Sequence, residues 1–387
     1  MDIRIEGGRA LIGQTLEEAA LHLSAETGTI TDIGSDASAR RRIDASGLMV
    51  LPGIVDLHGD AFERQMMPRP GVDFALDIAL ADSDRQALAN GITTVFHGVT
   101  WSWEPGLRAA DNARAMLEAI ERLKPRLGAD TRFHLRHETY NLDAEPEIAQ
   151  WLGERRIDLL AFNDHLPIAD LSSPRGNKKK RAPMLERSGL GEDEFLGVVA
   201  RVKERADEVP ASIARLAQVA VANGVPLLSH DDTSPEQRRW FRSLGIRLAE
   251  FPTTLATAQE AAAHGDDIVL GAPNVVRGGS HTGHTDAKDM IARGLCSILA
   301  SDYYYPAPLI AAFRLVADHV APLPQAWALV SETAAAAAGL ADRGTIARGR
   351  RADVILVDAQ ETRPRVVATI VAGRIVHLTD AARILPP

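Results

Sequence analysis

The chain has 387 residues, 45% of them hydrophobic and 25% charged, which is ordinary for a globular enzyme. Its formal net charge of −9 argues against nucleic acid or a membrane surface as a partner, because phosphates would be repelled. A small anionic ligand remains compatible with a local basic pocket. The single cysteine, Cys296, excludes an internal disulfide, and no long apolar run or signal peptide is visible, so we expect a cytoplasmic location.

Short strand patterns separated by glycine turns occur at both ends of the chain. They lie at residues 1–6 and 28–34 near the start, and at residues 344–358 and 366–377 near the end. Each set is too small to bury a core alone, so we expect the two ends to pair. The predicted organisation is a small β-sandwich domain, residues 1–52 plus 343–387, and a larger domain of residues 53–342.

Between the two ends, short apolar strands alternate with helical patterns. The eight predicted strands are residues 54–57, 93–96, 132–135, 159–162, 226–229, 247–251, 267–271 and 297–300. Helices are predicted between them, for example over residues 108–123 and 210–223. Eight strands are what a closed parallel barrel requires, and no Gly-x-Gly-x-x-Gly turn supports an open doubly wound sheet. The predicted fold class is therefore α/β, a (β/α)8 TIM-like barrel with a small β-sandwich domain.

Residue types that bind metals follow these strands at their carboxyl ends, where parallel barrels carry their chemistry. The histidines in such positions are His58, His97, His137, His165 and His230. The carboxylates are Asp60, Glu138, Asp164, Asp231, Asp232, Glu250 and Asp302. A single histidine in such a place is more often structural, but the repetition favours a metal centre. The ligand types suit zinc, manganese or iron and leave magnesium open, with one or two ions.

A divalent ion at these strand ends would lower the pKa of a water molecule towards neutrality and so supply a nucleophile. Asp302 is the candidate to accept the proton of that water. A second signal lies in residues 274–284, where a glycine pair could turn backbone amides towards an anion. The donors in and around this turn are Arg277, Gly278, Gly279, Ser280 and His281. The alternative is an ordinary glycine-rich loop without a ligand.

The densest positive run in this acidic chain is the basic segment, residues 175–181, with the sequence Arg-Gly-Asn-Lys-Lys-Lys-Arg. The leading interpretation is a solvated loop surface. The alternative is a lid over a polyphosphate tail, because the segment follows the strand end that carries His165. Arg69, held between two prolines near the first strand, has the same two interpretations.

Several motifs together resemble one known family. Residues 51–60 read Leu-Pro-Gly-Ile-Val-Asp-Leu-His-Gly-Asp, and residues 344–358 close on Ala-Asp-Val-Ile-Leu-Val-Asp. With Ser301-Asp302 they resemble the amidohydrolase superfamily over nearly the whole chain. Further motifs resemble its phosphonate-pathway branch, the ribose 1-methylphosphonate 5-triphosphate diphosphatases. These motifs are residues 56–60, 67–70, 134–138, 229–233, 274–281 and 301–304.

The resemblance implies a metal-dependent hydrolase that releases pyrophosphate from a ribosyl phosphonate 5-triphosphate or a related phosphorylated sugar in phosphonate catabolism. The implied metal ligands are His58, Asp60, Glu138, His165, His230 and Asp302, with His230 and Asp302 as catalytic residues. The implied substrate-binding residues are Arg69, Arg277, Gly278, Gly279, Ser280, His281 and Tyr303. Two departures from the family pattern stand out. His137 occupies a position where the family usually has cysteine, and residues 164–171 replace a family motif beside the substrate.

Two other functions remain open at this point. One is an amidohydrolase that opens a cyclic amide or deaminates a ring, with the same metal ligands acting on a C–N bond. The other, from a different class, is a non-catalytic barrel that only binds an anion. The expected partner is an anionic small molecule, and association into a homo-oligomer is compatible with such barrels, although no sequence feature identifies an interface.

Overall fold

The computed structural model of the chain describes residues 2–35, 39–69, 71–279, 286–359 and 363–386. The strands in these ranges, β1–β19 in chain order, are Asp2–Glu6, Arg9–Ile12, Thr15–Glu18, Leu21–Ser24, Thr29–Ile33, Arg41–Asp44, Met49–Pro52, Ile54–Gly59, Ile92–Trp101, Asp130–Glu138, Leu159–Asn163, Leu227–His230, Leu248–Glu250, Asp267–Gly271, Ile298–Ala300, Val354–Asp358, Arg365–Val371, Arg374–Leu378 and Ile384–Leu385. The α-helices, α1–α15, are Glu63–Met66, Leu76–Ala89, Ala110–Leu123, Glu145–Gly153, Leu166–Ala169, Lys178–Ser188, Glu192–Lys203, Val209–Ala222, Pro235–Ser243, Leu255–Ala263, Ala272–Arg277, Ala287–Ala292, Ala307–Ala317, Leu323–Ala328 and Glu332–Ala337.

Strands β8 to β15 form one parallel sheet in sequence order, and this sheet closes into a barrel. The closure is a backbone bridge between Gly59 and Asp302. The amide of Asp302 donates to the carbonyl of His58 at 2.8 Å, and the amide of Asp60 donates to the carbonyl of Asp302 at 3.0 Å. The predicted fold class is confirmed. The closure also brings residues more than 240 positions apart in sequence to one point of the mouth.

Apolar side chains fill the interior of the barrel. Val55, Leu57, Leu228 and Ile298 belong to one buried cluster and come from the three strands β8, β12 and β15. Such strands are buried on both faces, which explains why the sequence shows them as continuous apolar runs. Each fully buried aliphatic side chain of this kind contributes roughly 1.5–3 kcal/mol to folding. The interior is therefore packed, and the polar residues are left to the mouth.

A buried polar contact fastens the first barrel strand to the last. The carboxylate of Asp56 accepts the amide of Ser301 at 2.8 Å and its hydroxyl at 2.5 Å, and both residues are fully buried. A Cβ atom on Gly59 would lie 2.9 Å from Asp56 Oδ2, so only glycine leaves room for this carboxylate. The closure of the barrel between β8 and β15 is therefore stabilised by this contact.

Replacing Ser301 with alanine is expected to lower the free energy of unfolding by about 1–3 kcal/mol, because a buried carboxylate loses one donor. The measurement is urea unfolding followed by circular dichroism. Ser243 is a matched control, since its hydroxyl donates to the carbonyl of Trp240 at the surface and its loss should cost under about 0.5 kcal/mol. Equal effects of the two substitutions would contradict the closing role of Ser301.

The two chain ends build two further sheets. One has the strand order β19-β6-β1-β4-β5 and the other β18-β17-β16-β7-β2-β3. Their facing side chains share one apolar cluster, which includes Ile5, Leu23, Val50, Val354 and Ile370. This arrangement is the small β-sandwich that the sequence predicts. The residue limits of the two domains, 1–52 plus 343–387 and 53–342, stay a proposal.

The predicted strands all occur in the barrel, but β8, β9 and β10 are longer than predicted. Strand β9 continues to Trp101, so His97 lies inside the strand rather than at its end. Its ring is buried against Phe62, at a centroid distance of 5.1 Å. Burial lowers the pKa of His97 to about 4. Within the described ranges, no helix combines the length and apolar character needed to cross a membrane.

Candidate active site

Strand β10 presents three polar side chains to the mouth at a spacing of two residues. His134, Arg136 and Glu138 share one face of the strand, as the alternation of a β-strand requires. His137 lies on the other face, where its ring packs against Phe162 at a centroid distance of 6.4 Å. His137 is therefore not part of the mouth, and burial lowers its pKa to about 4.

The first group of ligand atoms comes from both sides of the barrel closure. Oxygen and nitrogen atoms of His58, Asp60 and Asp302 lie within 4.8 Å of one another. The register between β8 and β9 shifts between Asp56 and Gly59, and such an irregularity can re-aim a side chain. Asp302 has a positive φ of 55°, a conformation that costs energy and is often found at functional sites.

Glu250, at the end of β13, fixes the orientation of His58. Its Oε1 lies 2.7 Å from Nδ1 of His58, and both side chains are buried. Burial opposes a charged imidazole, but the Glu250 carboxylate outweighs it and raises the pKa of His58. Glu250, His58 and His134 also form a group of atoms within 4.8 Å. Glu250 thus leaves Nε2 as the free nitrogen of His58.

Replacing Glu250 with glutamine is expected to weaken divalent metal binding about 10–100-fold, because the carboxylate that orients His58 is lost. Metal content after dialysis and competition with a chelator measure this. Glu236 is a surface control, since its side chain pairs only with exposed Arg239 among the described residues. An affinity of Glu250→Gln equal to that of Glu236→Gln would exclude the orienting role.

A second group of ligand atoms contains His165, His230 and Asp231. Nδ1 of His165 lies 2.5 Å from Oε1 of Glu138, and Nε2 of His165 lies 3.8 Å from Oδ2 of Asp231. Burial opposes ionisation of Glu138, but His165 lowers the pKa of this carboxyl to about 2. The structure therefore places Glu138 behind His165, rather than in either group of ligand atoms.

Arg136 lies between the two groups. Its Nη1 donates to Oδ2 of Asp60 at 3.2 Å, and its Nη2 lies 3.5 Å from Nε2 of His230. Burial and the nearby Arg136 cation hold the pKa of His230 well below its usual range, which keeps the ring neutral. Burial opposes ionisation of Asp60, yet Arg136 lowers its pKa. Arg136 is thus a fixed positive charge at the centre of the mouth.

Asp302 is in a different electrostatic environment from Asp60. Burial and the neighbouring Asp60 carboxylate raise the pKa of Asp302 to about 7, although His58 and Arg136 oppose this. Two carboxylates at this separation disfavour simultaneous ionisation unless a cation lies between them. The protein itself supplies only one cation in contact with Asp60 here, Arg136, within the described residues. The pair is suited to bind a further positive charge.

The residues fit a divalent metal in three respects. Each of the two main groups combines imidazole with carboxylate, the ligand set of zinc, manganese and iron. His230 and His134 are held neutral by burial, which is the form that binds metal. Buried atoms Nδ1 of His230, Nε2 of His134 and Oε2 of Glu250 have no hydrogen-bond partner in the described structure. Polar atoms buried in this way require a ligand or water.

A cavity of about 630 Å³ opens above these groups. Its floor contains His58, Arg136, His165, His230 and Asp302. Phe251 contacts the rings of His58 and His230 edge-on, each at a centroid distance of 5.3 Å. Other lining residues come from strand ends and from the loops and helices that follow them: Ile168, Asn177, Lys179, Lys180, Pro183, Asp231, Pro252, Gly271, Asn274 and Ala287. The volume is sufficient for a small phosphorylated sugar.

Among the described residues, none of the predicted substrate-binding residues lines this cavity. Arg69 is exposed, and Arg277 Nη1 lies 3.5 Å from the hydroxyl of Tyr303 outside the wall. The amides of Gly278 and Gly279 both donate to the carbonyl of Asn274, which ends helix α11 and leaves neither amide for an anion. Ser280 and His281 lie outside the described residues. The substrate role of this set therefore stays a prediction.

Four residues of the site are absent from the ligand and substrate-binding sets that the family resemblance implies. They are His134, Arg136, Asp231 and Glu250. His134 and Arg136 had a usable signal, because they alternate with Glu138 on one strand face. Glu250 stands at a predicted strand end, but its contact with His58 spans 192 positions in sequence. No local pattern encodes such a contact.

The fold is a closed parallel barrel with a small β-sandwich, and histidines and carboxylates surround the mouth of the barrel. This combination is typical of hydrolases of the amidohydrolase class. A sequence model of the amidohydrolase family matches residues 196–377. Alpha-D-ribose 1-methylphosphonate 5-triphosphate diphosphatase of Escherichia coli strain K12 is 34% identical over 329 residues, which are 82% of this chain and 85% of that protein. The chain belongs to the amidohydrolase superfamily, in the phosphonate-metabolism branch that contains this diphosphatase.

More distant proteins share the fold. Adenine deaminase of Methylobacterium sp. strain 4-46 is 28% identical over 86% of this chain, but the chain matches only 51% of that protein. The solved structure of dihydropyrimidinase from Brevibacillus agri NCHU1002 has a TM-score of 0.67 at 14% identity, and covers 98% of this chain and 95% of its own. A D-hydantoinase structure has a TM-score of 0.65 at 15% identity, with coverage of 98% and 95%. These similarities show the barrel fold.

Proposed function

We propose that the chain is a metal-dependent diphosphatase that releases pyrophosphate from a ribosyl phosphonate 5-triphosphate or a related phosphorylated sugar. The observation that carries this proposal is the 34% identity to the Escherichia coli diphosphatase over 82% of the chain. The cavity supports it, because metal-ligand groups, a buried arginine and two lysines surround one space. A cytoplasmic location and a homo-oligomeric state stay predictions.

The metal ligands we propose are His58, Asp60 and Asp302 in one group, and His165 and His230 with Asp231 in the other. Glu138, whose Oε1 lies 2.5 Å from Nδ1 of His165, is suited to orient that ring, and its role as a metal ligand stays a prediction. A divalent ion would supply Lewis acidity and make a nearby water more acidic. Whether one or both groups are filled is decided by metal stoichiometry, and zinc, manganese, iron and magnesium are the candidates.

The proposed reaction is hydrolysis at the α-phosphorus. Oxygen of water forms a bond to that phosphorus, and the bond to the oxygen that bridges the α- and β-phosphates breaks. The electron pair leaves with pyrophosphate, and the 5-phosphate of the sugar remains. Asp302 accepts the proton of the attacking water, and Arg136 stabilises the negative charge that develops. His230, held neutral beside Arg136, contributes a nitrogen ligand rather than a proton.

The direct test is phosphorus NMR of the metal-loaded chain with ribosyl and nucleoside triphosphates. We expect equimolar pyrophosphate and 5-phosphate, with no inorganic phosphate in the first turnover. Solvent labelled with ¹⁸O should appear in the 5-phosphate and not in pyrophosphate, because attack is at the α-phosphorus. Absence of pyrophosphate from every triphosphate would overturn the proposal.

The second candidate is hydrolysis of a C–N bond, favoured by the 28% identity to an adenine deaminase over 86% of the chain. It uses the same metal ligands, and Asp302 accepts a proton from a water molecule that attacks carbon instead of phosphorus. Ammonia release from adenine and ring opening of cyclic amides test it in parallel with the triphosphates. The diphosphatase is the better supported candidate, because its relative matches both at higher identity and over 85% of its own length.

A further inference from the structure

The basic segment, residues 175–181, lies beside the mouth of the cavity. Helix α6 begins at Lys178, and the side chain of Asn177 accepts the amides of Lys179 and Lys180 at 2.9 and 3.2 Å. This cap fixes the backbone of the first helical turn. The lysine pair, Lys179 and Lys180, lines the same cavity as His58, His230 and Asp302.

The positive charges of this segment divide into two kinds. Arg175 pairs with Asp164 at 3.6 Å, and buried Arg181 pairs with Glu192. These two arginines attach the ends of the segment to the protein. Among the described residues, no ion pair involves Lys179 or Lys180, although Asp231 and Asp302 line the same cavity. The two lysine charges are therefore available to a ligand, while the arginine charges are already used.

A polyphosphate ligand would need such charges. The chain carries a net charge of −9, and Asp231 and Asp302 line the cavity. A triphosphate has about four negative charges at neutral pH, and its entry into an acidic mouth requires local cations. An ammonium group on a long side chain can follow phosphate oxygens as a point charge. Helix α6 supplies two such groups to the lining of the cavity that also contains the metal-ligand groups.

We propose that Lys179 and Lys180 form the subsite for the terminal phosphates of the substrate, so that the part leaving as pyrophosphate lies against helix α6. This inference rests on the proposed function and adds which end of the substrate faces which wall. The sugar and the α-phosphate then lie towards the floor with Arg136. Residues 164–171, which differ from the family pattern, precede the basic segment, and Ile168 among them lines the same cavity.

The test is calorimetric binding of inorganic tripolyphosphate to the metal-loaded full chain, with the divalent metal in excess over the ligand. We expect Lys179→Ala and Lys180→Ala each to weaken binding about fivefold, and the double variant about 30-fold. Lys179→Arg should retain most of the affinity, because the charge remains. Lys178→Ala is the matched control, since Lys178 belongs to the same run but does not line the cavity, and should change affinity less than twofold.

Two readouts separate this subsite from the proposed activity. In the double variant, kcat/KM for a triphosphate substrate should fall at least about 30-fold, with KM raised, because the lysines hold the phosphates on which negative charge develops as pyrophosphate leaves. A double variant that binds tripolyphosphate as tightly as Lys178→Ala would overturn the subsite, even if the wild-type chain hydrolyses triphosphates. Lysine-dependent binding of tripolyphosphate would sustain the subsite even if no triphosphate were hydrolysed, and only the proposed function would then fall.

Discussion

The variant Asp302→Asn is expected to hydrolyse a triphosphate with a kcat about 10²–10⁴-fold below that of the wild-type chain. Asparagine has the same size but cannot accept a proton from water. The position is suited to a base, because burial and Asp60 raise the pKa of Asp302 to about 7. The backbone bridge to Gly59 does not involve the side chain, so the barrel closure should survive the substitution.

Steady-state kinetics with phosphorus NMR detection measure this loss, and metal analysis of the same sample shows whether the ion is retained. Asp318→Asn serves as the control, because Asp318 lies on the surface and pairs with Lys288 and Arg314. Its kcat should remain within twofold of the wild-type value. A wild-type rate in Asp302→Asn would remove Asp302 from the proposed mechanism.

The barrel could be predicted because its strands are buried on both faces and stand out as short apolar runs. The polar residues after these runs were predictable for the same reason, since the carboxyl ends of parallel strands meet at one edge. His58, Asp60, His165, His230 and Asp302 meet there in the structure. The sequence predicted the lengths of the strands less accurately than their positions. Strand β9, for example, continues past His97 to Trp101.

Contacts between distant segments could not be predicted. The contact of His58 with Glu250 and the position of Arg136 between Asp60 and His230 depend on how the closed barrel sets its strands side by side. The glycine pair at 278–279 shows a different difficulty. A glycine pair suits both an anion-binding turn and a helix end, and the structure uses it to end α11.

Tertiary packing places the basic segment in a way that its sequence does not determine. A run of lysines and arginines is usually solvated surface, and Lys178, Lys179 and Lys180 are all exposed. Met184 and Phe195 pack in a separate apolar cluster with Leu166, which holds α6 beside the mouth. This packing, and not the charge run itself, directs Lys179 and Lys180 to the cavity. The sequence alone favoured the solvated loop.

The second large expected effect is a loss of stability on replacing Arg238, a buried arginine that contacts residues on either side of His230 and Asp231. Arg238 is fully buried, and its guanidinium contacts Asp232 Oδ2 at 3.1 Å and Ser229 Oγ at 2.6 Å. It also donates to the carbonyl of Ile246. Ser229 and Asp232 flank His230 and Asp231 in sequence, so Arg238 fixes the strand end that carries the second group of ligand atoms.

Arg238→Met is expected to lower the free energy of unfolding by about 3–5 kcal/mol, because Asp232 is left as a buried carboxylate without its cation. Asp266, the other carboxylate beside Arg238, keeps Arg242 at 2.7 Å, so most of the cost comes from Asp232. Chemical unfolding monitored by circular dichroism measures the loss. Metal content should fall as well, since the strand end that holds His230 is no longer fixed.

The neighbouring residue provides the control. Arg239 is half-exposed and pairs with Glu236 and Glu260 at the surface, so Arg239→Met should cost only about 0.2–1 kcal/mol. Adding Asp232→Asn to Arg238→Met removes the unpaired charge and should recover part of the lost stability. If the double variant is no more stable than Arg238→Met alone, the instability comes from lost packing of the arginine side chain. In that case the ion pair does not stabilise this strand end.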